Sequence, residues 1–152
     1  MMPRSISNNS VLTVMNFATS RKEKILILVK TYPALSRKYD ELVCTAGITE
    51  SGEWIRLYPI PFRKLRDDQQ YPKYQWIELE IEKNTGDPRL ESHRPVHMCE
   101  DIVFGGKIGT EDGWAARKEL VLRNVHSNMT ALIAGNKKDK GVSLAVFKPA
   151  KL

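Results

Sequence analysis

Between Ile77 and Glu82, three apolar residues (Ile77, Leu79, Ile81) alternate with three glutamates (Glu78, Glu80, Glu82). A period of two sends the two kinds of side chain to opposite faces of a strand. Tyr74 to Lys83 therefore reads as a β-strand with one buried face and one acidic face. Upstream, Ile25-Leu26-Ile27-Leu28-Val29 is a short branched run flanked by charge, which predicts a buried strand over Lys24 to Lys30. Pro33 ends it, because proline has no N–H to give to a ladder. Glu41 to Ile48 and Glu53 to Ile60 predict two further strands. The Gly-containing link Thr49-Glu50-Ser51-Gly52 predicts that a hairpin joins them. Pro59 and Pro61 stop the third strand, and Phe62 to Asp68 predicts a helical turn with Pro61 at its first position.

Past Lys83 the periodicity weakens. Asn84-Thr85-Gly86-Asp87-Pro88 reads as a turn, and Val96 to Phe104 as a strand broken off by Gly105-Gly106. Thr110 is placed to cap a helix, with Glu111 and Asp112 favourable to its dipole and Trp114, Arg117, Leu120 and Val121 at helical spacing. A second short helix is expected from Asn128 to Ala134, stopped by Gly135-Asn136, and a last strand from Val142 to Phe147. Strands, then helix, then strand predict a mainly β fold: a small barrel of the OB-like or SH3-like kind, with one or two short α-helices near the C-terminal third.

Composition narrows the class. At 152 residues, 41% hydrophobic and 28% charged, the chain suits one globular domain. Its longest purely apolar run is five residues, whereas a membrane-spanning helix needs ~20, so no membrane partner is expected. The first twenty residues have no continuous apolar stretch of the secretory kind and read as a flexible N-terminal arm. Cys44 and Cys99 are the only cysteines and form no CxxC, which argues for a reducing compartment and a cytoplasmic location.

Charge adds a direction. The net charge is +6, spread unevenly. Ser20 to Asp40 carries six basic residues against two acids, and Asn136 to Leu152 five against one, while Ile77 to Asp101 reverses to seven acids against three. Basic patches of this kind suit a phosphate-bearing partner. Within the third strand, alternation puts Trp54, Arg56 and Tyr58 on one face, an aromatic–cation–aromatic row that offers stacking and a phosphate contact. The competing structural reading has the aromatics covering a barrel end and Arg56 meeting a carboxylate. Arg63, Lys64, Lys73 and Tyr74, among Arg66, Tyr71 and Trp76, form a second basic and aromatic group, and Arg37 and Lys38 are expected as outer phosphate contacts.

Other clusters give less. Asp87, Glu91 and His93 invite a metal-dependent nuclease, but a loop network with Arg89 and Arg94 explains them more simply. Glu91, His93, His97 and Cys99 match no common zinc spacing. Gly105-Gly106-Lys107-Ile108-Gly109-Thr110 lacks the P-loop pattern and reads as a tight turn. No catalytic residue, metal ligand or cofactor is assigned.

The segments Lys30-Thr31-Tyr32-Pro33, Lys38 to Ile48 and Trp54-Ile55-Arg56-Leu57-Tyr58-Pro59-Ile60-Pro61-Phe62-Arg63 resemble those of bacterial proteins described as dual OB domain-containing. The resemblance continues through Lys73 to Glu78, Asp87 to Ser92 and Ser143 to Pro149. It implies OB-type barrels and, by analogy, contact with nucleic acid. Two complete barrels are tight in this length, so a single OB-like barrel domain is expected over 21–152, with partial second-barrel elements after residue 95. The expectation is a non-enzymatic nucleic-acid-binding module, DNA or RNA, accessory to a larger assembly. The alternative is a protein-interaction subunit whose barrel docks a partner protein.

Overall fold

The computed structural model describes residues 19–31, 42–136 and 143–150. The expected arm falls almost wholly outside these residues, as do Arg37 and Lys38. The described chain runs β1 (Arg21–Lys30), β2 (Val43–Ile48), β3 (Trp54–Ile60), β4 (Gln75–Lys83), β5 (Ser92–Pro95), β6 (Val103–Lys107), α1 (Glu111–Val121), β7 (Val125–His126), α2 (Met129–Asn136) and β8 (Val146–Phe147).

Five of these strands close on themselves in the order β1-β2-β3-β5-β4, with β4 returning to β1. All the contacts in this ring are antiparallel except β3 with β5. A five-stranded barrel with this connectivity is OB-like, and the fold is mainly β as the pattern predicts. Closure removes the open edges that an isolated sheet would expose. β4 serves both sides: Arg21 to Leu26 run against Ile81 to Trp76, while β5 and β6 divide its other edge.

Alternation fills the interior. Ile77, Leu79 and Ile81 of β4 meet Ile25 and Ile27 of β1 and Ile55 and Leu57 of β3, all at most 1% exposed. Each such side chain contributes about 1.5–3 kcal/mol by leaving water. Tyr71 closes one end of this core with its hydroxyl paired to Thr45 Oγ1 at 3.1 Å. Two glycines are required locally. At Gly47 a Cβ would lie 2.1 Å from the Leu26 carbonyl oxygen across the β1–β2 ladder, and Gly52 takes φ +86 to turn the β2–β3 hairpin.

The middle of the chain departs from expectation. Residues 96–101 form a turn, not a strand, with Met98 and Cys99 both at positive φ. Strand pairing is found on either side: β5 begins already at Ser92, and β6 takes in Gly105 and Gly106, which were expected to make a turn. Cys99 supplies the reason, since its side chain is fully buried in the core cluster and draws the turn inward. α1 forms at the expected place, but Asp112, Gly113 and Trp114 have positive φ, so Thr110 makes no side-chain cap. α2 begins one residue later than expected, with Asn128 Oδ1 accepting from the Ala131 N–H, and it takes in Gly135 and Asn136, which were expected to stop it. No described residue from Val103 onward is buried. Among the described residues, no helix is long and apolar enough to cross a membrane.

Candidate functional site

Two recesses, each of about 500 Å³, lie along the outside of the barrel where β3 ends. The first gathers around the end of β1 and is lined by Lys30, Thr31, Val43, Phe62, Arg63, Gln70 and Lys73. Local sequence explains it. Pro61 ends the strand and starts a short 3-10 turn over Phe62–Lys64, which sets Phe62 partly into the core and leaves Arg63 and Lys64 outside. The Phe62 ring meets Tyr71 edge-on at 5.2 Å. Lys30, the last residue of β1, lays its ammonium 3.7 Å above the Phe62 ring and donates to the Tyr71 carbonyl at 2.8 Å. Its pKa is lowered, first by partial burial and then by the charge of Lys73. Lys30 and Lys73 thus face one recess, and an anion entering it would relieve the repulsion between them.

The second recess lies between β3 and the β4–β5 loop, lined by Arg56, Tyr58, Pro59, Asn84, Gly86, Asp87, Pro88 and Arg89. Arg56 is built into its floor: Nη1 meets Asp87 Oδ2 at 2.5 Å and Nε donates to Cys44 Sγ at 3.0 Å. Asp87 also accepts from Arg89 Nε at 2.9 Å and Ser92 Oγ at 2.8 Å. The Arg89 hydrogen bond, then that of Ser92, holds the Asp87 carboxyl well below the usual carboxylate range. Asn84 ties the loop to β3 by donating to the Tyr58 carbonyl at 3.2 Å. Tyr58 keeps an exposed ring, 37% open to solvent, with the Arg56 guanidinium 5.7 Å from its centre. An exposed aromatic beside the half-exposed Arg89 offers a flat surface and a cation to a planar, negatively charged ligand.

The chain running from β3 into the 3-10 turn joins the two recesses, with Tyr58 and Pro59 of β3 at one and Phe62 and Arg63 of the turn at the other. Four of the nine residues expected to bind are therefore gathered: Arg56 and Tyr58 in one recess, Arg63 and Lys73 in the other. Lys64 is exposed beside Arg63 but lines neither. Trp54 shares the outer face of β3 yet looks toward Ile48, Leu120, Val121 and Val146, under the C-terminal segment. That segment is tied down by Arg123 Nη1 to the Glu50 carbonyl at 2.9 Å and by Ser143 to the Glu91 carboxylate. The Tyr74 ring is covered by the Arg117 guanidinium at 3.8 Å. Lys30, Phe62 and Arg89 were not among the expected binding residues. Adjacency to Arg63 was a signal for Phe62, whereas Lys30 read only as the end of a strand.

The family described as a domain of unknown function (DUF8758) matches residues 21–123. The chain belongs to this family. The DUF8758 span takes in the whole barrel, both recesses and α1. No curated protein and no solved structure matches the chain.

The remaining clusters are held in structural contacts. His93 is 5% exposed with Nδ1 at 2.9 Å from the Glu91 carbonyl, and burial lowers its pKa. Arg94 pairs with Glu82 at 2.6 Å rather than joining Asp87. Cys99 is buried and its thiol is pushed up to about 12. His97 is exposed, with Nε2 3.1 Å from Glu80 Oε2.

Proposed function

We propose that this DUF8758 chain is a non-enzymatic nucleic-acid-binding module that takes phosphate at the Lys30–Arg63–Lys73 recess and stacks a base near Tyr58. The observation that carries this reading is the placement of Lys30 and Lys73 together around an aromatic floor. The fold supports it by analogy, since OB barrels bind oligonucleotides on their second and third strands and on the loops after strands one and four. Thr31 and Val43 flank the first of those loops, and residues 84–91 form the second. Base stacking and backbone charge together hold single strands without strong sequence preference. An accessory role in a larger assembly and a cytoplasmic location go with this reading. Fluorescence anisotropy with labelled single- and double-stranded DNA and RNA at two salt concentrations tests it. Binding that weakens steeply with salt is expected, and no binding to any of the four at low salt sinks it.

One observation favours the second reading, a protein-interaction subunit. Leu122, Val125, Met129 and Ile133 of the C-terminal segment are all at least 38% exposed. A partner protein burying these side chains while the two recesses stay open to solvent is the outcome that favours it.

A further inference from the structure

On the acidic face of β4, away from both recesses, a histidine and two carboxylates converge. We propose that Glu80, His97 and Asp101 form a binding site for one divalent transition-metal ion. One potential ligand atom from each lies within 4.8 Å of the other two. The spacing in the chain gave no hint of this, because Glu80 stands on β4 while the others flank the inward turn at Met98 and Cys99.

Glu80 organises the site through its own backbone. Its carbonyl accepts from the Val96 N–H at 3.0 Å, and its N–H donates to Asp101 Oδ2 at 2.7 Å. Both ends of the turn that carries His97 and Asp101 are thus fastened to the residue that supplies the third ligand. The Glu100 N–H, bonded to the His97 carbonyl at 2.9 Å, tightens the turn between them. Such preorganisation lowers the cost of gathering ligands around an ion.

A second observation points to a ligand. Asp101 Oδ1 is buried and accepts no hydrogen bond, the single side-chain atom in that condition among the described residues. An anionic oxygen withdrawn from water without a partner is costly, and a cation satisfies it. His97 Nε2 and Glu80 Oε2 are 3.1 Å apart, so an ion would take the place of the hydrogen they share. Ser20 donates to the other Glu80 oxygen and steadies the carboxylate from outside. Bond lengths of ~2.0–2.2 Å to zinc require the ligands to close in by under ~1 Å each, within reach of side-chain adjustment.

The donor set chooses the class of ion. One imidazole nitrogen with two carboxylate oxygens suits Zn²⁺, Mn²⁺ or Fe²⁺ better than Mg²⁺ or Ca²⁺, which prefer oxygen alone. Cys99 is not a ligand, since its sulfur belongs to the barrel core.

The test is calorimetric titration of the EDTA-treated, dialysed chain with Zn²⁺, Mn²⁺ and Mg²⁺, together with the visible absorption of added Co²⁺. One Zn²⁺ or Mn²⁺ per chain is expected, with Mg²⁺ far weaker and a d–d band from Co²⁺. Both His97→Ala and Asp101→Asn should lose more than about tenfold in affinity, since even outer partners of metal ligands cost that much. His97 is exposed, so His97→Ala should keep the metal-free unfolding midpoint and its result decides even if Asp101→Asn unfolds. Absence of saturable binding by the wild type overturns the proposal. So does undiminished binding by folded His97→Ala, or Mg²⁺ binding as tight as Zn²⁺.

Discussion

Arg56 and Asp87 meet at 2.5 Å between β3 and the β4–β5 loop, with both side chains mostly withdrawn from solvent. Asp87 is the hub of this contact, holding Arg56, Arg89 and Ser92 at once. The carboxylate therefore shapes one wall of the recess and offsets the Arg56 charge. Arg56 contributes to any ligand contact through Tyr58 and through the form of the floor more than as an unpaired cation.

Asp87→Asn keeps the shape but removes the charge, and should cost about 1.5–3 kcal/mol at neutral pH, the range for hydrogen bonds to charged groups. The folded-state pKa of Asp87 is depressed, so its contribution is complete above the unfolded value of about 3.9 and is lost as pH falls toward the folded one. Urea unfolding at pH 7 should separate wild type from Asp87→Asn, and the gap should narrow below about pH 4. A gap that stays constant from pH 7 to pH 2.5 rules out this role.

The two thiols should differ in reactivity. Cys99 is fully buried and its pKa is raised to about 12 by that burial, so little thiolate exists at pH 8 and reagents cannot reach it. Cys44 is only half-buried beside Arg56. Iodoacetamide followed by peptide mass spectrometry should find Cys44 modified in the native protein and Cys99 only after denaturation.

The barrel was legible because its signal is local. The β4 alternation, the apolar run in β1 and the Gly52 hairpin each specify a strand with one inward face, and closure follows from pairing those faces. β5 was missed because Ser92-His93-Arg94-Pro95 has no apolar alternation; Ser92 and His93 are buried through hydrogen bonds and ladder partners instead. Arg56 and Tyr58 could be placed on one face by period alone. That Trp54 faces Leu120 and Val146, or that Arg117 covers Tyr74, depends on contacts between distant segments that no periodicity records. The Glu80–His97–Asp101 convergence is of the same kind.

Lys73 is exposed, so Lys73→Ala tests the phosphate recess with little risk to the fold. If the recess takes one phosphate, the variant's plot of log affinity against log salt should be shallower by about 1. The loss should be similar across sequences, because backbone contacts carry no base information. Anisotropy titrations at four salt concentrations measure both. An unchanged slope removes Lys73 from the interface.

Tyr58 and Tyr74 were both expected as stacking residues, and the structure gives them different surroundings. The Tyr58 ring is open beside Arg89, while Arg117 lies on the Tyr74 ring and its guanidinium also donates to the Ile108 carbonyl at 2.9 Å. A base can reach Tyr58 directly, but at Tyr74 it must displace Arg117. Tyr58→Ala should therefore weaken single-strand binding by about 1–3 kcal/mol, the usual worth of one stacked base, and leave the unfolding midpoint close to wild type. Tyr74→Ala should do the opposite, lowering the midpoint through the lost Arg117 contact while affinity stays within about twofold, well under one stacked base. Arg117→Ala separates the two causes. If Tyr74 has a hidden role in binding, uncovering its ring will raise affinity; if its role is structural, Arg117→Ala will lower only the midpoint.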